Sequence, residues 1–499
     1  MTRALRSSAV VVGGAALALL GSLPAAQAAE QGQARNVILL IGDGMGVTHV
    51  DAARQRIVGA EGKLSMEQLA NNGSVSTYSV LPNSDTPNPV PDSAATSTAW
   101  SSGVKSYNGA IGKDAYGEDV VLLMEQAKAA GMRTGNVSTA EITDATPAGA
   151  MAHTLKRQCQ GPTQSGCATD EAHIAHQISR NGTADILLGG GLRRFEPDDQ
   201  QALEEQGYTV LGDFGDDTLA NDVGAQSATT QTVATSDGLA AVPAGTDKLV
   251  ALFNRGNLTV EKSKAAASAE SAEAEEPTLP EMTAKAIELL SAPAQGQGKG
   301  AGSRPGFFLQ VESALIDKRS HANDAAQTLE EMRYFDQAVQ VAREFAASKE
   351  GKGTLIVVSA DHECAGFNII GKNSFANAEA ANPPGNIDSS NPANNSTPRR
   401  EYAANTLDPE RSTGIVNGDG PGSQDPGNFA PATFRTPEDP EDVEDGDPEA
   451  SLWLTYVSGN HTGANVPVLS EGPGSAMLDG RVDQTDLYRA MSAALRGVA

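Results

Sequence analysis

Sulfur, imidazole and positive charge are all scarce in this chain. Its 499 residues include 3 cysteines and 7 histidines, so few side chains can serve as soft or imidazole ligands. Against 63 aspartates and glutamates stand 36 lysines and arginines, a formal net charge of -27. That balance disfavours nucleic acid and anionic membrane surfaces as partners, and its simplest meaning is solubility. Beyond the N-terminus no apolar run reaches the length of a membrane span, and no internal repeat is visible. The hydrophobic share, 39%, is ordinary for a soluble globular protein large enough for one big domain or two smaller ones.

The N-terminus reads as a targeting segment. Arg3 and Arg6 form a positive start, Ala9 to Leu23 is apolar, and Ala26-Gln27-Ala28 offers a small-residue cleavage pattern. The expectation is a signal peptide over 1–28, cleavage near Ala28, and a secreted product, periplasmic or extracellular, with no membrane contact afterwards. In an exported protein Cys159 and Cys167, bracketing a short Gly/Pro-containing loop, read as a small disulfide. Cys364 is left over. A zinc ligand, a free thiol and an inert core cysteine are all open for it, with inert or free as the simpler readings.

Residues 29–499 alternate between strand-like and helix-like stretches. Strands are predicted at 36–41, 134–139, 184–188, around Phe307 and around Leu355. Helices are predicted near 47–57, 63–71, from Asp92 to Ser102, from Gly117 to Gly131, from Thr283 to Leu290, and from Asp324 to Lys349. In the last of these, Leu329, Met332, Phe335, Val339, Ala342 and Phe345 recur at helical spacing. Such alternation implies an α/β fold with a mostly parallel central sheet flanked by helices. Two stretches break it. Residues 261–305 hold low-complexity Ala/Ser/Glu and Gly/Ala/Gln segments, read as a surface loop around the Thr283 helix. Residues 372–450 are rich in Asn, Pro, Gly and acid, read as a loosely ordered surface insertion.

Four acidic positions follow apolar runs. Asp43 follows Asn36–Gly42, Glu312 follows Phe307–Val311, Asp144 follows Thr134–Thr139 after a short link, and Asp361-His362 follows Thr354–Ala360. Ligands of parallel sheets bind beyond the carboxyl ends of the strands. Carboxylates gathered there repel and resist burial, so a converged set needs cations. Asp317 and His321 are spaced i, i+4, one face of a helical turn and a common zinc arrangement. Each piece alone has a plainer reading: a turn at Asp43-Gly44, a helix cap at Asp361, a surface ion pair at Asp317. Of the histidines, His173 and His176 read as solvated, and His49 and His153 as packing residues. His321, His362 and His461 remain as candidate ligands.

Pro91-Asp92-Ser93-Ala94-Ala95 reads as an N-capped helix. It also places the Ser93 hydroxyl where helix amides favour an anion, so that beside a dication it could ionise and attack phosphorus. Arg157, beside the expected disulfide, could clamp two phosphate oxygens.

Together, Asp43-Gly44-Met45-Gly46, Pro91-Asp92-Ser93-Ala94-Ala95, Thr139-Ala140-Glu141 with Asp144-Ala145-Thr146-Pro147, Val311-Glu312 with Ile316-Asp317-Lys318 and His321, Ala360-Asp361-His362 and His461-Thr462-Gly463 resemble the alkaline phosphatase family. They occur in that family's order and span roughly residues 36 to 490, which is far more specific than any one motif. The resemblance implies a phosphomonoesterase with two zinc ions and one magnesium ion, usually a homodimer. It implies one zinc at Asp317, His321 and His461, and a second at Asp361, His362, Asp43 and the Ser93 oxygen. Magnesium would take Asp43, Thr146, Glu312 and waters ordered by Asp144. Ser93 would be the nucleophile, Arg157 the phosphate clamp, and Lys318 would reach phosphate through water. The chain departs from the family in having one possible disulfide where bacterial members often have two. Cys364 stands where many relatives have a histidine, and the His362–His461 stretch is longer than in compact bacterial members. Rival readings are a dedicated phosphatase for a phosphorylated secondary metabolite on the same scaffold, and a non-catalytic metal-binding surface protein.

Overall fold

A computed structural model describes residues 34–162, 167, 172–215, 231–292, 306–372, 432–447, 449–456 and 459–495. The leader segment and residues 373–431 of the expected insertion lie outside these. The core is a 10-stranded sheet. Seven neighbouring strands run parallel, in the order Thr354–Ser359, Asn36–Gly42, Phe307–Ser313, Arg133–Glu141, Ile186–Gly190, Leu249–Leu252 and Thr209–Leu211. Beyond Thr354–Ser359 lies the antiparallel strand Val466–Glu471, then Asn71–Ser76 and Gly480–Asp483. The strands Asn36–Gly42, Phe307–Ser313 and Thr354–Ser359 are buried along their whole length. This is why they read as unbroken apolar runs rather than alternating ones.

The four strands expected to carry carboxylates are consecutive in the sheet. Ile41 aligns with Ser359 on one side and Glu312 on the other, and Glu312 aligns with Ser138. Their carboxyl ends therefore form one row. Among the described residues, no helix is long and apolar enough to cross a membrane.

Four local expectations differ from what is found. Residues 63–71 form a short 3-10 turn, Met66–Gln68, and then the strand Asn71–Ser76. The apolar spacing there comes from Leu64, Met66 and Leu69, which join the buried core without an α-helix. The helix expected from Gly117 covers only Leu123–Ala129, because the preceding residues are drawn off by bridges such as Lys113 with Asp119. Residues 261–276 are not a bare loop. Glu261–Ala266 is helical, Glu261 and Glu276 are buried, and Lys264 bonds Glu261 at 3.1 Å. At the far end of the insertion, Ala432–Phe434 pairs with Leu452–Thr455, and buried Asp439 accepts from Thr436 and Ser451 amides. Arg56 donates to the Arg435 carbonyl and to Asp445 Oδ2, both at 2.7 Å, so that acidic stretch is folded onto the body.

His49 packs as expected, in the helix Val47–Val58. Its Nδ1 accepts from the Gly46 amide at 3.1 Å, so Nε2 carries the proton and donates to Ser320 Oγ at 3.1 Å. Burial lowers its pKa from 6.5 to about 3, outweighing the pull of Asp317. A depressed folded value means that the contribution to stability is whole above pH 6.5 and is lost as pH falls towards 3. In His49→Gln the slope of unfolding free energy between those pH values should be shallower by up to about 1.4 kcal/mol per pH unit. Urea unfolding of both proteins across the range measures it. Equal slopes would mean that His49 does not titrate on unfolding.

Candidate active site

Asp43 begins the turn after the first strand, its amide bonded to the Ser313 carbonyl at 3.1 Å. Gly44, at φ 73°, has its α-carbon against the next layer. A Cβ there would lie 2.8 Å from Cys364 Cβ and 2.9 Å from Asp317 Cα, so only glycine fits. The Gly44 amide donates to Asp361 Oδ1 at 2.9 Å, as does the His362 amide at 2.8 Å. Gln484 holds the Asp361 carbonyl from the C-terminal helix, at 2.5 Å. These bonds occupy one oxygen of Asp361 and turn the other towards the site.

The helix Ser93–Ser102 is buried along its length and is capped by Asp92, which accepts the Ala95 amide at 3.0 Å. Ser93 Oγ lies 3.2 Å from His362 Nε2. That same nitrogen is 2.9 Å from Asp361 Oδ2 and 3.9 Å from Asp43 Oδ1. Asp43, Asp361 and His362 thus present donors to one point beside the serine.

A second group lies next to it. Asp317 and His321 share the buried helix Leu315–His321, with His321 Nε2 3.3 Å from Asp317 Oδ2. His461 arrives from the ribbon His461–Thr462, and its Nε2 is 3.0 Å from His321 Nε2 and 3.6 Å from Asp317 Oδ1. His461 stacks on His362 at 3.5 Å, so the two groups adjoin.

The tautomers of His321 and His461 are fixed by their outer bonds. His321 Nδ1 contacts the Gly459 carbonyl at 2.6 Å and His461 Nδ1 the Pro91 carbonyl at 3.0 Å. A carbonyl can only accept, so each Nδ1 carries the proton. In the neutral rings both Nε2 atoms then present lone pairs to each other. Such a pair is repulsive unless a proton or a metal cation lies between, and an Nδ1–H···O=C bond is the usual outer support of a metal-bound histidine. Other buried ligand atoms lack hydrogen-bond partners: Asp43 Oδ1, Thr146 Oγ1 and Asp317 Oδ1. The residues fit a cation site.

The ionisation pattern agrees. Burial, then Asp361, Asp317 and Glu312, push the Asp43 carboxyl well above its ordinary value. Burial also raises Glu312, to about 8, against a bond from Ser138. Burial would raise Asp317 too, but His321 and His461 outweigh it and hold that carboxyl low. Burial, then His362, lower His461 to about 3. Burial and then Asp317 raise the Cys364 thiol well above its usual range.

On the other side of Ser93, Asp144 caps the short helix Ala145–Ala148 and gathers two cations. Arg157 donates to Asp144 Oδ1 at 3.0 Å and to Asp92 Oδ2 at 3.3 Å, and Lys318 donates to Asp144 Oδ2 at 2.9 Å. Lys318 and Arg157 hold Asp144 well below the usual carboxylate range despite its burial. Cys159 and Cys167 are joined, two residues after Arg157, and Cys364 is free and buried. His153 bonds Gly112 and Glu125, as a packing residue does, whereas His173 and His176 are half-buried and His173 caps the helix Ile174–Asn181. Sequence reasoning passed over Asp92 as a partner of Arg157, Ser138 as a partner of Glu312, and the carbonyls of Pro91 and Gly459. Serine, aspartate and backbone oxygen carry no mark of such roles in a sequence.

The chain matches the family model for alkaline phosphatase over residues 34–496. It is 34% identical to an alkaline phosphatase of Escherichia coli (strain K12) over 487 residues, covering 93% of this chain and 86% of that one. It is 37% identical over 374 residues to a streptomycin-6-phosphate phosphatase of Streptomyces griseus, covering 70% and 79% of the two chains. Its fold is similar to that of Thermus thermophilus alkaline phosphatase, with a TM-score of 0.63 at 23% identity over 97% of this chain and 96% of that one. A family match across nearly the whole chain, joined to this fold, places the chain in the alkaline phosphatase family of phosphate monoester hydrolases.

Proposed function

We propose that the chain is an exported phosphomonoesterase that works through a phosphoserine on Ser93, with two zinc ions and one magnesium ion. The observation that carries the metal part is the pair of Nε2 lone pairs of His321 and His461, 3.0 Å apart. Asp317, His321 and His461 would hold one zinc ion. Asp43, Asp361, His362 and the Ser93 oxygen would hold the other. Asp43, Thr146 and Glu312 would hold magnesium, with Asp144 ordering its waters. When bound, these dications supply the positive charge that favours an ionised serine and a leaving oxygen.

The chain's own groups do the rest. The helix N-terminus at Ser93 favours an anion, and Arg157, steadied by Asp92 and Asp144, grips two phosphate oxygens side by side. Ser93 Oγ attacks phosphorus in line. The bond to the leaving alcohol breaks, and the phosphoryl group resides on Ser93. Water then attacks from the same side as the departed alcohol, freeing inorganic phosphate and the serine. Positioning and charge dominate such a transfer. Few side chains touch the leaving group in this scheme, so many monoesters should serve. Export, a cleaved leader and a homodimer complete the proposal.

A substrate panel with elemental analysis tests it: comparable rates on several monoesters, with zinc and magnesium in the active protein. One ester far ahead of the rest would favour a dedicated phosphatase, a reading encouraged by the relative that acts on streptomycin 6-phosphate. No turnover of any ester would leave only a metal-binding protein.

Lys318 should make the enzyme hold its product. Its ammonium lies beside Asp144, and in this scheme it would reach the phosphate through a water. Stabilising bound phosphate slows release without speeding chemistry. Lys318→Ala should raise the inhibition constant for inorganic phosphate by about tenfold, a charge effect on the order of 1.4 kcal/mol, and raise KM. Matched constants for the two proteins at equal zinc and magnesium would show that Lys318 does not face the phosphate.

A further inference from the structure

The geometry points to Cys364 as a sulfur ligand to the ion held by Asp317, His321 and His461, making that position selective for thiophilic divalent cations. The inference rests on the metal reading above and concerns one residue of it.

Cys364 pairs directly with His461 across the two-stranded antiparallel ribbon of Glu363–Cys364 and His461–Thr462. Directly opposed residues of such a pair send their side chains to the same face, with Cβ atoms about 4.5–5.5 Å apart. His461 sends its Nε2 to the Asp317 group, so the thiol is sent there too. The Cys364 amide is tied to the Gly44 carbonyl at 3.0 Å, and the tight packing of Gly44 against Cys364 Cβ and Asp317 Cα fixes the backbone from behind. The donor atoms of Asp317, His321, Cys364 and His461 all lie within 4.8 Å of one another. The hydrogen-bond contact of Sγ is a long one, 3.8 Å to the Asp317 carbonyl oxygen.

A second observation points to a ligand at the same place. Asp317 Oδ1 belongs to a side chain that is 7% exposed, and it has no hydrogen-bond partner. A carboxylate, two imidazoles and a thiol are a zinc-type donor set, and the sulfur shifts preference towards softer ions such as cadmium. The neighbouring set of Asp43, Asp361 and His362 has no sulfur, so the two positions should differ in softness. As the sulfur–metal bond forms, the thiol proton leaves to water. A coordinating thiol gives up its proton because the ion supplies the compensating charge.

The test uses the full chain, stripped of metal and reloaded with cobalt(II). Wild type should show a sulfur-to-cobalt charge-transfer band in the near ultraviolet, and Cys364→Ser should lose it while keeping the visible bands of a nitrogen and oxygen site. The other two cysteines are joined to each other, so no other thiol of the chain can give the signal. Cadmium affinity should fall by about tenfold or more in Cys364→Ser, and zinc affinity by less. X-ray absorption of zinc-loaded wild type provides a measurement that needs no variant, with sulfur expected at about 2.3 Å. Cobalt or zinc bound in wild type with only nitrogen and oxygen neighbours would overturn the sulfur ligand and leave the metal site standing. A chain that binds no divalent metal would defeat the metal reading itself.

Discussion

Ser93→Ala lowers kcat on p-nitrophenyl phosphate by about 10³-fold or more, an increase in barrier of roughly 4 kcal/mol. Ser93 is 3% exposed, sits at the N-terminus of a buried helix, and places Oγ 3.2 Å from His362 Nε2. Alanine removes one oxygen from this point and leaves the Asp92 cap, so the helix and the fold survive. Water could still attack phosphate held by Arg157, which is why some residual rate is expected. In wild type, quenching turnover at acidic pH should trap phosphate on a peptide containing Ser93. The second displacement needs a water that has lost its proton, and acid slows that step. Phosphate found on a different residue, or a variant with normal turnover, rules out Ser93 as the nucleophile.

Removing metal has an effect of similar size and a broader reach. A chelator should abolish phosphatase activity and lower the melting temperature by several degrees, and zinc with magnesium should restore both. The stripped site keeps the facing nitrogens of His321 and His461, the two carboxyls of Asp43 and Asp361, and the raised Glu312. Each is a destabilising arrangement that a cation relieves. An ion present at a thousand times its dissociation constant stabilises the folded state by about 4 kcal/mol. Full activity in a sample shown by elemental analysis to be free of metal would overturn the site assignment. Unchanged melting with lost activity would mean that the ions serve chemistry alone.

Much of this was legible in the sequence because parallel strands buried on both faces announce themselves as short apolar runs. Asn36–Gly42, Phe307–Ser313 and Thr354–Ser359 were readable for that reason, as was the acidic or imidazole residue at the end of each. Their adjacency was not, since strand order depends on crossovers that no local pattern encodes. Asp317 and His321 were readable through helical spacing, whereas His461 was a candidate only because the other histidines had plainer readings. The helix expected over 63–71 failed because Leu64, Met66 and Leu69 are buried from a 3-10 turn and the residues leading into the strand Asn71–Ser76. Periodicity cannot separate these over so few residues. The surroundings of the site were illegible for a different reason. Carbonyls such as those of Pro91 and Gly459 belong to every residue, so only the folded backbone singles them out.

The ribbon that seats His461 opposite Cys364 also sets a clock. Asp43 is made early and His461 more than 400 residues later, yet they serve adjoining donor groups. No sheltered cage can close on an ion while the chain is still being synthesised. The first strand can pair with its neighbours at 307–313 and 354–359 only after those have emerged, and the last imidazole follows about 100 residues after that. If the chain is exported unfolded, as proposed, it carries no cytosolic metal with it, and its ions would come from the medium in which it folds.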